Sequence, residues 1–306
     1  MPSVAAIGEC MVEFAPDGQG GWRMGFAGDS FNTLWTMRGL LSDADTLDYV
    51  SAFGDDEFSR QQLAFFRAHG VGIAASPHVA GGRPGLYAIT LKGAERSFTY
   101  WRSDSVARQL ADDSAALAQS LAGRDLIYFS GISLAILPKP ARNALMTALT
   151  KARLAGSLVA FDPNYRPRLW PSADEAKEAM KAAAGIADIV LPTFDDERQL
   201  FGDADPQATA RRLADLGVGE CVVKNGPMPA IVYANGNFEV VAAVAEAQAV
   251  DTSGAGDAFN GAYLAARLWR QEPVTAARFA HRIAALAIEV RGALTPFEKL
   301  KAALTA

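Results

Sequence analysis

Cysteine and histidine are scarce in this chain. Its 306 residues hold two cysteines, Cys10 and Cys221, too few and too far apart for a disulfide framework or a thiolate metal site. Such usage fits a reducing cytoplasm. The three histidines, His69, His78 and His281, show no ligand spacing and are expected in ordinary surface or core roles. Basic runs never exceed a dipeptide, and 29 Lys and Arg against 34 Asp and Glu leave a formal charge of −5. Nucleic acid and anionic membrane are therefore not expected as partners. No apolar stretch approaches the roughly 20 residues of a membrane span. The opening Met-Pro-Ser-Val runs into a strand-like pattern without the charged-then-apolar layout of a signal peptide. Internal repeats, low-complexity tracts and a clear inter-domain linker are also missing.

What is present is apolar: half of the residues are hydrophobic, enough for one large α/β domain or two small ones. A single domain over 1–306 is expected. Residues 4–14 read as one buried first strand, broken by Gly8 and Glu9, with Glu9 as an acceptor for backbone amides. A Gly-rich hairpin or loop follows over 16–26, and Gly28-Asp29-Ser30 opens a helix to about Leu41 with Asn32 on its first turn. Strands are expected at 47–53, 126–130, 158–162, 189–191 and 221–223, and helices at 57–69, 139–154, 173–184, 195–201 and 206–216. This alternation predicts a doubly wound, mostly parallel sheet flanked by helices, which binds ligands at the carboxyl ends of its strands. One stretch breaks the rhythm. Residues 84–91 and 96–102 are strand-like runs around Lys92-Gly93-Ala94-Glu95, a hairpin with no helix between its strands. It is either a decorative hairpin or, with the segment near 15–26, a small β-sheet lid formed by about 15–26 and 83–103.

The most informative stretch lies near the end, Val250-Asp251-Thr252-Ser253-Gly254-Ala255-Gly256-Asp257-Ala258-Phe259-Asn260-Gly261. It reads as the end of an extended segment, a turn of small residues, and a helix running through Trp269. Small residues let a backbone approach a ligand closely, and a helix opening there aims unpaired N–H groups at an anion. Asp257 beside such a site suits a base that takes a proton from an attacking hydroxyl, as in phosphoryl transfer to an alcohol. An Asp on a first helical turn also serves the helix dipole alone, and a bare Gly-x-Gly-Asp does not separate the two. The small residues Ala258, Gly261, Ala262, Ala265 and Ala266 would let this helix lie against a sheet.

The longer string Asp-Thr-x-Gly-Ala-Gly-Asp-x-Phe, followed by a small-residue helix, resembles the signature of the ribokinase-like (PfkB) carbohydrate kinases. That resemblance implies that the amides of Gly254, Ala255 and Gly256 form an anion hole and that Asp257 is the catalytic base. Further strings extend it over residues 4–295, among them Ile7-Gly8-Glu9-Cys10-Met11, Gly28-Asp29-Ser30-Phe31-Asn32, Pro84-Gly85-Leu86-Tyr87, Tyr100-Trp101-Arg102 and Asp162-Pro163-Asn164-Tyr165-Arg166. These are similar to the members of the family that phosphorylate 2-keto-3-deoxygluconate. The resemblance implies a sugar acid and ATP as substrates, with Gly28 approaching the sugar through its backbone and Asn32 and Tyr87 contacting hydroxyls. Tyr100, Arg102 and Arg166 would hold the carboxylate or its neighbouring keto oxygen, Arg through its planar fork. Arg166 would also lie between sugar and transferred phosphate. Arg168 and Trp170 are expected mainly to pack or form salt bridges.

On the nucleotide side, Thr193, Lys224 and Gly226 are the expected cofactor-binding residues, with Arg166, Gly254 and Gly256. Thr193-Phe194-Asp195-Asp196 stands where many relatives carry Asn-x-x-Glu, so Asp196 is expected to reach Mg2+ only indirectly, through water. No residue pattern decides whether a monovalent cation is needed as well. The Asp that some relatives carry after a late Arg-Gly is replaced here, in Arg291-Gly292-Ala293. An exposed edge of the lid sheet offers a place for a homo-oligomer contact. The rivals are another PfkB-type kinase, for fructose, ribose or a different keto-acid sugar, and a non-catalytic relative that only binds sugar or nucleotide.

Overall fold

The computed structural model describes residues 1–92, 95–244 and 248–305. Twelve strands among them form two sheets: β1 (Ser3–Ile7), β2 (Met11–Pro16), β3 (Trp22–Ala27), β4 (Thr46–Val50), β5 (Leu86–Lys92), β6 (Glu95–Trp101), β7 (Leu126–Ser130), β8 (Leu158–Asp162), β9 (Ile189–Val190), β10 (Glu220–Val223), β11 (Ala230–Ala234) and β12 (Asn237–Val241). The main sheet runs β12-β11-β10-β9-β8-β7-β1-β4, parallel from β10 to β4. Its last two strands, β11 and β12, are antiparallel.

Pleating explains why the strand sequences are almost wholly apolar. Val4, Ala6, Tyr128 and Ala160 point into one core, shared with the helices Asp29–Leu40, Ala255–Leu268 and Pro273–Ile288. Their neighbours Ala5, Ile7, Ile127, Phe129, Val159 and Phe161 point into the other, under Lys139–Leu154 and Ala173–Ile186. A sheet covered on both faces needs apolar residues at every position, so its strands read as continuous runs.

The segment expected as one strand over 4–14 is two strands in two sheets. After β1 the chain leaves the main sheet at Gly8 and enters the small sheet as β2. Side chains from elsewhere occupy the backbone at this crossing: Ser133 Oγ donates to the Ile7 carbonyl (2.7 Å), Ser51 Oγ to Gly8 (2.8 Å) and Gln62 Nε2 to Cys10 (2.8 Å). Each carbonyl is satisfied without a ladder partner, so the strand can end there. The small sheet has the order β3-β2-β5-β6, and it begins at Met11, before the expected boundary. The Gly93-Ala94 turn expected between β5 and β6 lies outside the described residues.

One other expectation is corrected. No strand leads into the glycine turn: the Val250 and Asp251 amides both donate to the Ile288 carbonyl, at 2.7 and 3.0 Å, so a helix end holds this segment. The small residues of Ala255–Leu268 share a core with the strands of the main sheet, as expected, and this helix also packs against Asp29–Leu40 and Pro273–Ile288. A methyl group on Gly261 would lie 2.5 Å from the Thr33 carbonyl oxygen and 2.7 Å from Thr36 Cβ, so bare glycine sets how closely the two helices approach. The β11–β12 hairpin was not expected, although Asn235 (φ 52°) and Gly236 (φ 80°) form the left-handed pair that two-residue hairpins favour. The helices Ser114–Leu121, Pro273–Ile288 and Phe297–Ala302 were likewise unassigned.

Gly261→Ala should destabilise the protein by about 1 to 3 kcal/mol, the usual cost of overpacking. Gly185 lies in the helix Ala173–Ile186 with open space where its Cβ would be, so Gly185→Ala should gain about 0.5 to 1 kcal/mol. Urea unfolding of both variants checks the pair, and equal midpoints would refute the packing assignment.

Candidate active site

The carboxyl ends of the parallel strands, the glycine turn and the inner face of the small sheet enclose a cleft of about 840 Å³. Gly28, Asn32, Tyr87, Tyr100, Arg102, Arg166 and Gly254 all line it. The sugar-side residues expected from the sequence are thus gathered in one place. Asp257 joins them through Asn32.

Gly254 caps the helix Ala255–Leu268 in the left-handed region, φ 73°, and no side chain caps this end. Only glycine fits here comfortably, since a Cβ would lie 2.8 Å from the Ala293 carbonyl oxygen. The turn is fixed by a residue to which no role had been given. Asp251 accepts from the Ser253 amide (2.9 Å) and the Gly292 amide (2.7 Å), tying the turn to the Gly292-Ala293 segment. Of the three amides expected to form an anion hole, that of Ala255 donates to the Thr252 carbonyl at 3.3 Å. Ala293, which replaces the late Asp of some relatives, packs on Gly254 and lines the cleft.

Asp257 is on the first turn of this helix and partly buried. Asn32 Nδ2 donates to its Oδ2 at 2.8 Å, while Asn32 Oδ1 accepts from the Gly28 amide at 3.3 Å. One asparagine therefore orients the carboxylate and ties it to the start of the Asp29–Leu40 helix. Burial pushes the Asp257 carboxyl up to about 7, and repulsion from Asp29 adds to this; the Asn32 bond and the Lys224 charge oppose it. Asp29 is held in turn by Asn164 Nδ2 at 2.8 Å, and Asn164 has φ 36°. A carboxylate poised near neutrality suits a general base.

Beneath the turn lies a buried network that sequence reading did not find. Asp162, at the end of β8, accepts from Lys224 Nζ (2.7 Å) and from Asn260 Nδ2 (2.6 Å) through the same oxygen. Asn260 also donates to the Tyr128 hydroxyl at 3.2 Å. The available signal was position, an acid closing a parallel strand where α/β sheets build sites. Lys224, expected to face the nucleotide, is buried and committed to Asp162. Its ammonium would lie 3.7 Å from a Cβ on Gly256, so its field reaches the turn from below. The Thr193 backbone bridges to Lys224, and Gly226 (φ 57°) stands open; neither lines the cleft.

On the small sheet, Arg102 pairs with the buried carboxylate of Glu9. The expected backbone-acceptor role of Glu9 is therefore corrected: it holds a guanidinium at the mouth of the sheet. Glu9 Oε1 and Arg102 Nε are buried without hydrogen-bond partners among the described residues. The Tyr87 hydroxyl donates to Glu13, and the Tyr87 and Tyr100 rings lie 5.8 Å apart. Arg166 Nη1 donates to the Tyr165 carbonyl (2.8 Å) and to Asp196 (3.1 Å), with half of the side chain exposed. Burial raises the Asp196 carboxyl above the usual range, and Arg166 opposes the shift. Trp170 is buried under the Arg142 guanidinium at 4.7 Å, in packing duty as expected. Arg168 is exposed and lines the cleft instead. Among the described residues no three His, Cys, Asp or Glu side chains gather into a metal cage, and no helix is long and apolar enough to cross a membrane.

Comparison with known proteins gives a consistent result. The family model "pfkB family carbohydrate kinase" matches residues 1–300. A 2-dehydro-3-deoxygluconokinase of Dickeya dadantii (strain 3937) is 38% identical over 307 residues, covering 98% of this chain and 99% of that protein. The 2-dehydro-3-deoxygluconokinase of Escherichia coli (strain K12) is also 38% identical, over 306 residues, with 98% and 99% covered. Among solved structures, aminoimidazole riboside kinase from Salmonella enterica, complexed with aminoimidazole riboside and an ATP analogue, superposes with a TM-score of 0.84. It is 25% identical and covers 99% of this chain and 100% of that one.

The raised carboxyl of Asp257 has a consequence for stability. Its folded value of about 7 exceeds the ordinary 3.8, so the folded protein binds this proton more tightly than the unfolded chain does. That contribution is present at pH 4 and is lost as pH rises towards 7. Asp257→Asn removes the dependence. The variant should match wild type in melting temperature near pH 4 and exceed it at pH 8, on the order of 3 °C. An equal or lower value at pH 8 would contradict the assigned shift.

Proposed function

Because the chain belongs to the pfkB family of carbohydrate kinases, we propose that it transfers the γ-phosphoryl group of ATP to the 6-hydroxyl of 2-keto-3-deoxy-D-gluconate, giving 2-keto-3-deoxy-6-phosphogluconate and ADP. One observation carries this reading. The glycine turn and Asn32, which holds Asp257, line one cleft with two arginines and a tyrosine, Arg102, Arg166 and Tyr100, that a carboxylated sugar needs and a neutral one does not. Full-length identity to the 2-dehydro-3-deoxygluconokinases supports the same substrate.

In this mechanism the sugar lies with its carboxylate toward the small sheet and its far hydroxyl toward the turn. Asp257 Oδ2 is occupied by Asn32, which leaves Oδ1 to take the proton of the attacking 6-hydroxyl. The amides opening the Ala255–Leu268 helix, with the Lys224 charge beneath them, hold the negative charge of the transferring group. Arg166 stands where sugar and nucleotide meet and donates to both. Magnesium, were it to enter with the nucleotide, would supply neutralisation of phosphate charge. Asp196 fits it through water rather than directly, since its carboxylate is engaged by Arg166. The small sheet acts as a lid that keeps water from the phosphoryl group, tethered at its base by the Glu9–Arg102 pair.

A coupled ATP-consumption assay with magnesium should show clear preference for 2-keto-3-deoxygluconate over fructose, ribose and gluconate. Preference for a neutral sugar would remove the carboxylate roles of Tyr100, Arg102 and Arg166. In the same assay Asp257→Asn should lower kcat by about two orders of magnitude. Arg166→Ala should cost on the order of 2 kcal/mol in kcat/KM, roughly 30-fold, for one charged hydrogen bond. Full turnover in the Asn variant would reject the base. With wild type, kcat/KM should fall about tenfold per unit as pH drops below about 7.

A further inference from the structure

A second cavity, of about 590 Å³, adjoins the sugar cleft and shares Tyr100, Arg102, Arg168 and Leu169 with it. Arg83 and Arg108 line it as well, so four arginines border one space, against a single acidic residue, Asp104. Asp104 lies 3.1 Å from Arg83 in an exposed ion pair, and Arg102 is neutralised by Glu9. Arg108, half-buried, and Arg168, exposed, have no acidic partner and no side-chain hydrogen bond among the described residues. Arginine does not shed its proton to relieve such crowding. In a chain of formal charge −5, two arginines without an acidic partner, Arg108 and Arg168, beside two that are paired give one concave surface a local excess of positive charge. It lowers the cost of bringing in an anion and raises the cost of leaving the space to water alone.

We infer that this cavity is a second ligand site, for a small polyanion bearing phosphate or carboxylate groups, held chiefly by Arg108 and Arg168. Its volume suits a metabolite rather than a macromolecule. Two features separate it from the sugar cleft. Arg108 and Arg83 line only the second cavity, and the glycine turn with its base lines only the first or lies beside it. The shared wall makes occupancy of one felt in the other through Arg168.

Trp101, 59% exposed, lines the second cavity and not the cleft, so tryptophan fluorescence reports on it. The full-length protein is titrated with inorganic phosphate and, separately, with citrate, at ionic strength held constant with sodium chloride. Wild type should show a saturable change with at least one of them, and the tighter probe tells phosphate from polycarboxylate chemistry. In Arg108→Ala the midpoint should rise at least tenfold while sugar turnover in the absence of the probe stays at the wild-type level. Arg83→Ala, at the exposed rim, repeats the comparison should the first variant fail to fold. A response with an unchanged midpoint in the variant puts the anion in the catalytic hole and overturns the inference. So does the absence of a saturable response to both probes in wild type.

Discussion

One buried oxygen organises the catalytic end of this molecule. Asp162 Oδ2 receives both Lys224 Nζ and Asn260 Nδ2, which brings together the end of β8, the segment after β10 and the helix that carries Asp257. A buried carboxylate is costly unless its charge and lone pairs are taken up, and here a cation and an amide do so. The helix consequently starts at a fixed place. Asp251 adds the second restraint, gripping the turn from the other side through Ser253 and Gly292. Between these carboxylates, Gly254 has little freedom beyond its left-handed conformation.

The same economy appears in the charges around Asp257. Asp29 raises its proton affinity, and Lys224 and Asn32 lower it. The result is a carboxyl that is neither fully ionised nor fully protonated near neutrality, set by neighbours that are themselves held in place. Across the cleft, the Glu9–Arg102 pair joins the point where the chain leaves the main sheet to the end of β6 at the base of the small sheet. The pair fixes where the small sheet starts relative to the main one.

Much of this was legible in the sequence, and the reasons are physical. β7, β8 and the helix Lys139–Leu154 were read with the bounds they have, because short apolar runs and amphipathic stretches alternate there with clear breaks. The residues that line the cleft were named because strings such as Pro84-Gly85-Leu86-Tyr87, Tyr100-Trp101-Arg102 and Asn164-Tyr165-Arg166 resemble those of a known family over nearly the whole chain. What the sequence hid were partnerships across long separations. Glu9 and Arg102 stand 93 positions apart and Asp162 and Lys224 stand 62 apart, and no local pattern links them. The split of residues 4–14 between two sheets was hidden because both halves are equally apolar. The burial of Lys224 was hidden because a Lys-Asn-Gly turn reads the same whether its ammonium faces a phosphate or a carboxylate.

The central claim is that Asp257 is the base and that the sugar lies with its acid end under the small sheet. It is tested most directly by a crystal structure of the protein with 2-keto-3-deoxygluconate and a non-hydrolysable ATP analogue. The 6-hydroxyl oxygen should lie within hydrogen-bond distance of Asp257, in line with the γ-phosphorus, with the carboxylate within reach of Arg102 or Arg166. A sugar bound the other way round, with its carboxylate at the glycine turn, would contradict both the base and the clamp.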